Sequence, residues 1–267
     1  MSQKIMSAEE AKRYAQDLCK AGIKNLQESD HVYRQLIDQI PTDHELRREH
    51  WILQAHLKAH WSFFSQHGQD KYIYERFFQS ATEGFFVDVG AFDGVEGSNT
   101  LFFERTLGWR GLCIEASPSR LAELQKNRRT PCLNVAVGDG RTTEAYLEVT
   151  AGYTMMGGLL SELPDAQLVR NNSHFVGQEI SVSVKPLSDI LDEQHITSVD
   201  YCSIDVEGAE MRVLKGIDFD RHRIAVLSIE NFSRLGENPG TEVKDFMESR
   251  GYRYVDAVGL DEIYALP

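Results

Sequence analysis

The chain has 267 residues, a net charge of −13 and no run of Lys or Arg gathered into a stripe. That balance argues against nucleic acid or an anionic membrane as partner, and no apolar stretch approaches the length of a membrane span. The length suits one large α/β domain with a small appendage, and the apolar content suffices for a sizeable core.

Residues 1–64 read as a helical extension. Ser7-Ala8-Glu9-Glu10 has the form of a capping box, and Gly22 is placed to end the first helix. Ser29-Asp30 offers a cap for a second helix that stops at Pro41, with Val32, Leu36, Ile37 and Ile40 at helical spacing. Thr42-Asp43-His44-Glu45 repeats the box and opens a third helix through Trp51, Leu57, Trp61 and Phe64. This extension reads as a packing appendage or a contact between copies of the chain. The opening residues Met1-Ser2-Gln3-Lys4 do not read as a signal peptide. Cys19, Cys113, Cys132 and Cys202 form no CxxC pair and read as small core residues in a reducing cytoplasm.

Residues 65–267 read as the main domain. Ser65-Gln66-His67-Gly68-Gln69-Asp70 is a polar loop ahead of a helix over 70–79. From residue 84 strands and helices alternate, the mark of a parallel sheet. The expected strands are Phe85–Val89, Gly111–Glu115 and Pro131–Val137, then a polar strand over Glu144–Val149. Residues 150–178 lack periodicity and read as an insertion at the mouth of a pocket. Further strands follow at Ile180–Val184, Val199–Asp205 and Ile224–Glu230, with Ser188 as a helix cap and a helix near 241–249. Tyr252–Val258 and Glu262–Leu266 form a terminal antiparallel hairpin.

The most informative stretch is Phe86-Val87-Asp88-Val89-Gly90-Ala91-Phe92-Asp93-Gly94 with Cys113-Ile114-Glu115 one βα unit later. Gly90 and Gly94 let backbone approach a ligand, and Glu115 at the next strand tip can accept from two vicinal ribose hydroxyls. A dinucleotide loop needs a middle glycine where this one has Phe92, and Asp88 and Asp93 would repel pyrophosphate. They suit S-adenosylmethionine, whose tail carries an ammonium and a sulfonium.

A second group of acids ends strands four and five: Asp205, then Glu230-Asn231. Asp205, Glu230 and Asn231 together offer three oxygen ligands for a hard cation such as Mg²⁺, which could lower the pKa of an acceptor hydroxyl. Asp205 could instead bind the cofactor's amino group. Glu207 and Glu210 read as helix-start residues favoured by the dipole. His56, His60, His67 and His174 are candidate bases without a distinguishing context.

With these residues in view, the chain resembles the FkbM-type S-adenosylmethionine-dependent methyltransferases from about Ser65 onward. The likeness rests on the Ser65–Asp70 loop, Phe86–Ala91, Ser98-Asn99-Thr100, Cys113-Ile114-Glu115, Asp205-Val206-Glu207-Gly208-Ala209-Glu210 and the hairpin. It implies a Rossmann-like, seven-stranded α/β methyltransferase sheet and O-methylation of a hydroxyl on a small molecule or sugar. It also implies that Asp88, Gly90, Asp93, Asn99, Glu115 and Gln69 surround the cofactor, with Asp139 near the adenine. The strand-tip acids look like the magnesium ligands of the catechol O-methyltransferase type, whose lysine base is matched here by Gly208. An NAD-linked oxidoreductase and a non-catalytic adenosine-binding scaffold are the competing readings.

Overall fold

A computed structural model describes residues 26–40, 53, 63–151, 155, 157–163, 176–235 and 240–267, together with Ser7, Glu10, Arg13 and Tyr14. The chain divides into two compact units, Met1–Phe64 and Ser65–Pro267.

In the first unit, the Ser7 hydroxyl and backbone N–H both donate to the Glu10 carboxylate, and the Glu10 N–H donates back to the Ser7 hydroxyl at 3.4 Å. This is the reciprocal capping pair the sequence suggests. Helix α1 covers Leu26–Gln39, so Ser29 and Asp30 lie inside it rather than capping it. Asp30 instead accepts from Arg34 one turn on, at 2.9 Å. Val32, Tyr33 and Leu36 form its buried face. The expected end of the first helix at Gly22 and nearly all of the third, including Trp51, Leu57 and Trp61, lie outside the described residues.

The second unit opens with the Ser65–Asp70 loop and α2, Gln69–Ile73, which runs into a π-helical turn at Tyr74–Phe78. Next come β1 (Phe85–Val89), α3 (Leu101–Arg105), β2 (Arg110–Glu115), α4 (Pro118–Asn127), β3 (Cys132–Asn134) and β4 (Ala136–Val137). Then follow β5 (Thr142–Ala151), β6 (Gly158–Leu159), β7 (Val176–Lys185), α5 (Leu187–Glu193), β8 (Ser198–Ile204), α6 (Glu210–Lys215) and β9 (Arg223–Glu230). The chain closes with α7 (Glu242–Ser249), β10 (Arg253–Val258) and β11 (Asp261–Ala265).

Seven strands form the main sheet in the order β10-β11-β9-β8-β1-β2-β3. Strands β3, β2, β1, β8 and β9 are parallel, and β11 runs antiparallel to both β9 and β10. This is the expected seven-stranded sheet with a terminal antiparallel hairpin. Strand β1 is the middle one of the five parallel strands, which explains its near-continuous apolar text: Phe86, Val87 and Val89 are fully buried. Leu112, Ile114, Cys202, Ile204, Leu227 and Ile229 join Val87 and Val89 in one core cluster with the flanking helices.

The strand expected over 131–137 is in fact two. Cys132–Asn134 pairs with β2, whereas Ala136–Val137 pairs with β7 in a second sheet of order β4-β7-β5-β6. One chain run thus leaves one sheet and enters another at Val135. The polar strand and Ile180–Val184 are the cores of a long antiparallel ribbon, β5 with β7. Part of the expected insertion, 150–178, therefore belongs to this second sheet; 152–154, 156 and 164–175 lie outside the described residues. Ser188 does not cap α5, whose N-cap is Pro186; its hydroxyl accepts from the Asp218 N–H at 2.6 Å.

Candidate active site

The carboxyl ends of β1, β2 and β8 open onto one cleft of about 750 Å³, part of it continuous with solvent. Gly90, Phe92, Glu115, Ser117 and Arg120 line one side, and Asp205, Val206 and Glu207 another. Val135, Ala136 and Val137 form an apolar wall at the seam between the sheets. Tyr146, Glu148, Gly157 and Leu159 from the second sheet face them.

Glu115 sits at the tip of β2 with its carboxylate buried. Its two oxygens accept one N–H each, from Phe92 at 2.8 Å and Ser117 at 2.7 Å. One lone pair on each oxygen is left for a ligand. Burial raises this carboxyl to about 7 against the pull of those two N–H groups and the Arg120 charge.

Phe92 occupies the place of the absent middle glycine and takes a glycine-like conformation, φ 49°. That strained backbone aims its N–H at Glu115 and lays its ring under the Arg120 guanidinium, 4.7 Å away. Gly90, φ 87°, packs so closely on β8 that a Cβ there would overlap the Asp205 carbonyl oxygen. A glycine is required there by both dihedral and space.

The remaining expected cofactor residues brace this loop and do not line the cleft. Asp88 is buried, accepts from the Thr100 hydroxyl at 2.5 Å, and lies 3.6 Å from the buried Arg128 guanidinium. Asp93 accepts the N–H groups of Val95 and Glu96, both at 2.8 Å, and so fixes the turn after Phe92. Asn99 donates to the Ser203 hydroxyl and to Asp261. Gln69 accepts the His67 N–H at 2.9 Å and also bonds Asp261. Asp139 lies away from the cleft: it is half-exposed and bound by Arg212 at 3.0 Å, alongside Glu144.

The Ser65–Asp70 loop is a capped turn, with the Ser65 hydroxyl donating to Asp70 at 2.5 Å. It reaches the cleft through Gln66, whose amide donates to the sulfur of the cleft-lining Met155 at 3.6 Å. His67 packs its ring against the hairpin glycine Gly259, and His56, His60 and His174 lie outside the described residues.

The second acid group differs from the expected one. Asp205, Glu207 and Glu230 can each bring an oxygen within 4.8 Å of the other two. Asn231 follows Glu230 at the end of β9. Its carbonyl oxygen accepts from the N–H and hydroxyl of Ser233 at 3.1 and 2.7 Å, capping the short 3-10 helix Phe232–Leu235. Glu207, which the sequence did not place in this group, joins it with a left-handed backbone, φ 57°. Nothing in residue type or spacing announces that turn; only the adjoining Gly208 hints at unusual dihedrals. Glu210, by contrast, accepts the N–H groups of Val206 and Gly208 at the start of α6, as a helix-start residue should.

Burial, then the neighbouring Asp205 and Glu207 carboxylates, push Glu230 up to about 12, which favours its protonated form. Its Oε2 is buried with no hydrogen-bond partner. Burial, then the Asp205 and Glu210 charges, raises Glu207 as well. Three acids thus share a site that cannot hold them all ionised without a positive charge.

The Methyltransferase FkbM domain matches residues 88–254 of this chain. The 31-O-demethyl-FK506 methyltransferase FkbM of Streptomyces tacrolimicus is 35% identical over 97 residues. That match takes in 34% of each protein, so the aligned part spans about a third of the relative's length. Among solved structures, the FkbM methyltransferase of Methylobacillus flagellatus KT is 15% identical, with a TM-score of 0.43, over 87% of this chain and 60% of its own. The N-terminal domain of human METTL16 is 14% identical, with a TM-score of 0.41, over 75% of this chain and 67% of its own. With the domain match covering well over half of its length, the chain belongs to the FkbM methyltransferase family.

Proposed function

We propose that this protein is an S-adenosylmethionine-dependent O-methyltransferase acting on a hydroxyl of a small molecule or sugar. The observation that carries the reading is a single cleft with Glu115, a carboxylate that forms no ion pair among the described residues, on one side and Asp205 and Glu207 on another, with Glu230 within reach of those two. The residues fit the cofactor. Glu115 has an open lone pair on each oxygen for a ribose diol, and the Val135–Val137 wall suits an adenine face. When bound, S-adenosylmethionine supplies a methyl group on a positively charged sulfur. The chain's own part is to hold the sugar, exclude water with the β5–β7 ribbon, and present acids where an acceptor proton must leave.

Asp205, Glu207 and Glu230 also fit a hard divalent cation such as Mg²⁺, because all three donors are oxygens and Glu230 Oε2 has no partner. Such an ion would supply Lewis acidity toward an acceptor hydroxyl. Asn231, bound to Ser233, is not proposed as a ligand. The unpaired Cys113, Cys132 and Cys202 agree with a cytoplasmic setting, and among the described residues no helix is long and apolar enough to cross a membrane.

Calorimetry with S-adenosylhomocysteine and with NADH tests the cofactor: we expect the first to bind and the second not, since Phe92 fills the pyrophosphate position. The reverse order would overturn the reading. Transfer of a labelled methyl group to a pool of polyols and sugars, with and without chelator, tests the rest. Full turnover in chelator removes the cation, and binding without any transfer leaves a scaffold.

A further inference from the structure

At the opposite end of the sheet from the cleft lies a groove of about 1070 Å³, open to solvent. It is lined by Arg76, Arg223 and Arg253, with Phe77, Tyr254 and Leu266 between them. Arg223 and Arg253 open β9 and β10, so the groove sits at the foot of the strand whose tip carries Glu230. Eight residues of β9 put it about 23 Å from the acid group.

Three features set this groove apart in a chain of net charge −13. First, its arginines form no ion pair with any acid among the described residues. Arg120, Arg128, Arg141, Arg212 and Arg221 are each paired, whereas Arg110, Arg129 and Arg250, away from the groove, form no ion pair among the described residues either. The acids beside the groove arginines in sequence are committed: Glu75 to Lys71 at 3.9 Å, and Asp256 to the Tyr72 hydroxyl at 3.0 Å. Second, Arg76 and Phe77 are presented by the π-helical turn Tyr74–Phe78, a costly local geometry that recurs at functional sites. Third, Tyr254 is one of three large hydrophobic side chains exposed among the described residues.

Guanidinium groups match phosphate and carboxylate oxygens two at a time, and they stack on planar groups as ammonium ions do not. Three of them without counter-charge call for a dianion, and the flanking Phe77 and Tyr254 rings call for an apolar, planar neighbour to it. We propose that this groove is a second ligand site, separate from the methyl-transfer cleft, for a small phosphomonoester carrying a planar apolar group.

The test is isothermal titration of the full chain with inorganic phosphate, with phenyl phosphate and with a single-stranded oligonucleotide. Saturable binding of phenyl phosphate is expected, at least tenfold tighter than inorganic phosphate. The double variant Arg223→Ala/Arg253→Ala should weaken it at least tenfold while leaving S-adenosylhomocysteine affinity unchanged. No saturable binding, or equal affinity in the double variant, overturns the proposal. Binding of the oligonucleotide alone also overturns it, because the groove would then be a macromolecular docking face. If the double variant does not fold, Arg253→Gln serves in its place, and unchanged phenyl phosphate affinity in that variant is the overturning result.

Discussion

The two ends of the cleft both carry buried carboxylates, yet they handle the charge in opposite ways. At the β2 end, Glu115 receives an N–H on each oxygen, and Asp88 beneath it is held by Thr100 and Arg128. At the β8 end, Asp205 and Glu207 face one another with Glu230 within reach, and Glu230 Oε2 meets no donor among the described residues. A satisfied carboxylate is a grip whose shape precedes its ligand. An unsatisfied cluster is incomplete until a cation or an acceptor arrives.

The largest expected effect is at the incomplete end. Asp205→Asn should lower turnover by roughly 10²–10³-fold, the size seen when a positioned electrostatic group is lost, with S-adenosylhomocysteine affinity little changed. A parallel loss of that affinity would make Asp205 part of the cofactor grip and erase the contrast. Glu115→Ala should do the reverse, weakening S-adenosylhomocysteine binding by about 1–3 kcal/mol, as loss of hydrogen bonds to a charged group does. Unchanged affinity in titration calorimetry would put the ribose elsewhere.

Gly90→Ala acts on both ends at once. Its new Cβ would overlap the Asp205 carbonyl oxygen in a left-handed backbone, so thermal unfolding should show about 1–3 kcal/mol of lost stability. A stability equal to that of the parent would mean the two ends are not in backbone contact.

The smallest effect is on pH. Burial raises Glu115, Glu210 and Asp261 to about 7. The folded chain therefore keeps protons that the unfolded chain has already lost. Their contribution is fully present below the ordinary carboxylate range and is lost as pH rises through about 7. The ligand-free melting temperature should fall across that window. A melting temperature that rises over the same window would contradict the burial of these acids.

Much of this arrangement could be read from the chain. The apolar text of 85–89 and 111–115 gave the central strands, because strands covered on both faces leave no room for polar alternation. Glu115 was legible because its position follows from the strand end alone. What escaped depends on dihedrals and pairing that no residue type encodes. Phe92 and Glu207 take left-handed conformations usually reserved for glycine, and each thereby redirects a group toward the cleft. Asp139 is ion-paired to Arg212 and Asn231 is bonded by Ser233, partners that residue type does not reveal. The split of 131–137 between two sheets is set by long-range pairing with β7, which local pattern does not reveal.

That split has a consequence for how such an enzyme could change its clientele. The seam at Val135 works as a crease: on one side lies the rigid parallel sheet with Glu115, on the other the ribbon that carries Tyr146, Glu148 and Leu159 into the cleft. Tilting or re-facing the ribbon alters the width and chemistry of the opening while the nucleoside seat stays put. Mutational drift confined to the ribbon can then retune which methyl acceptor is admitted without renegotiating the donor.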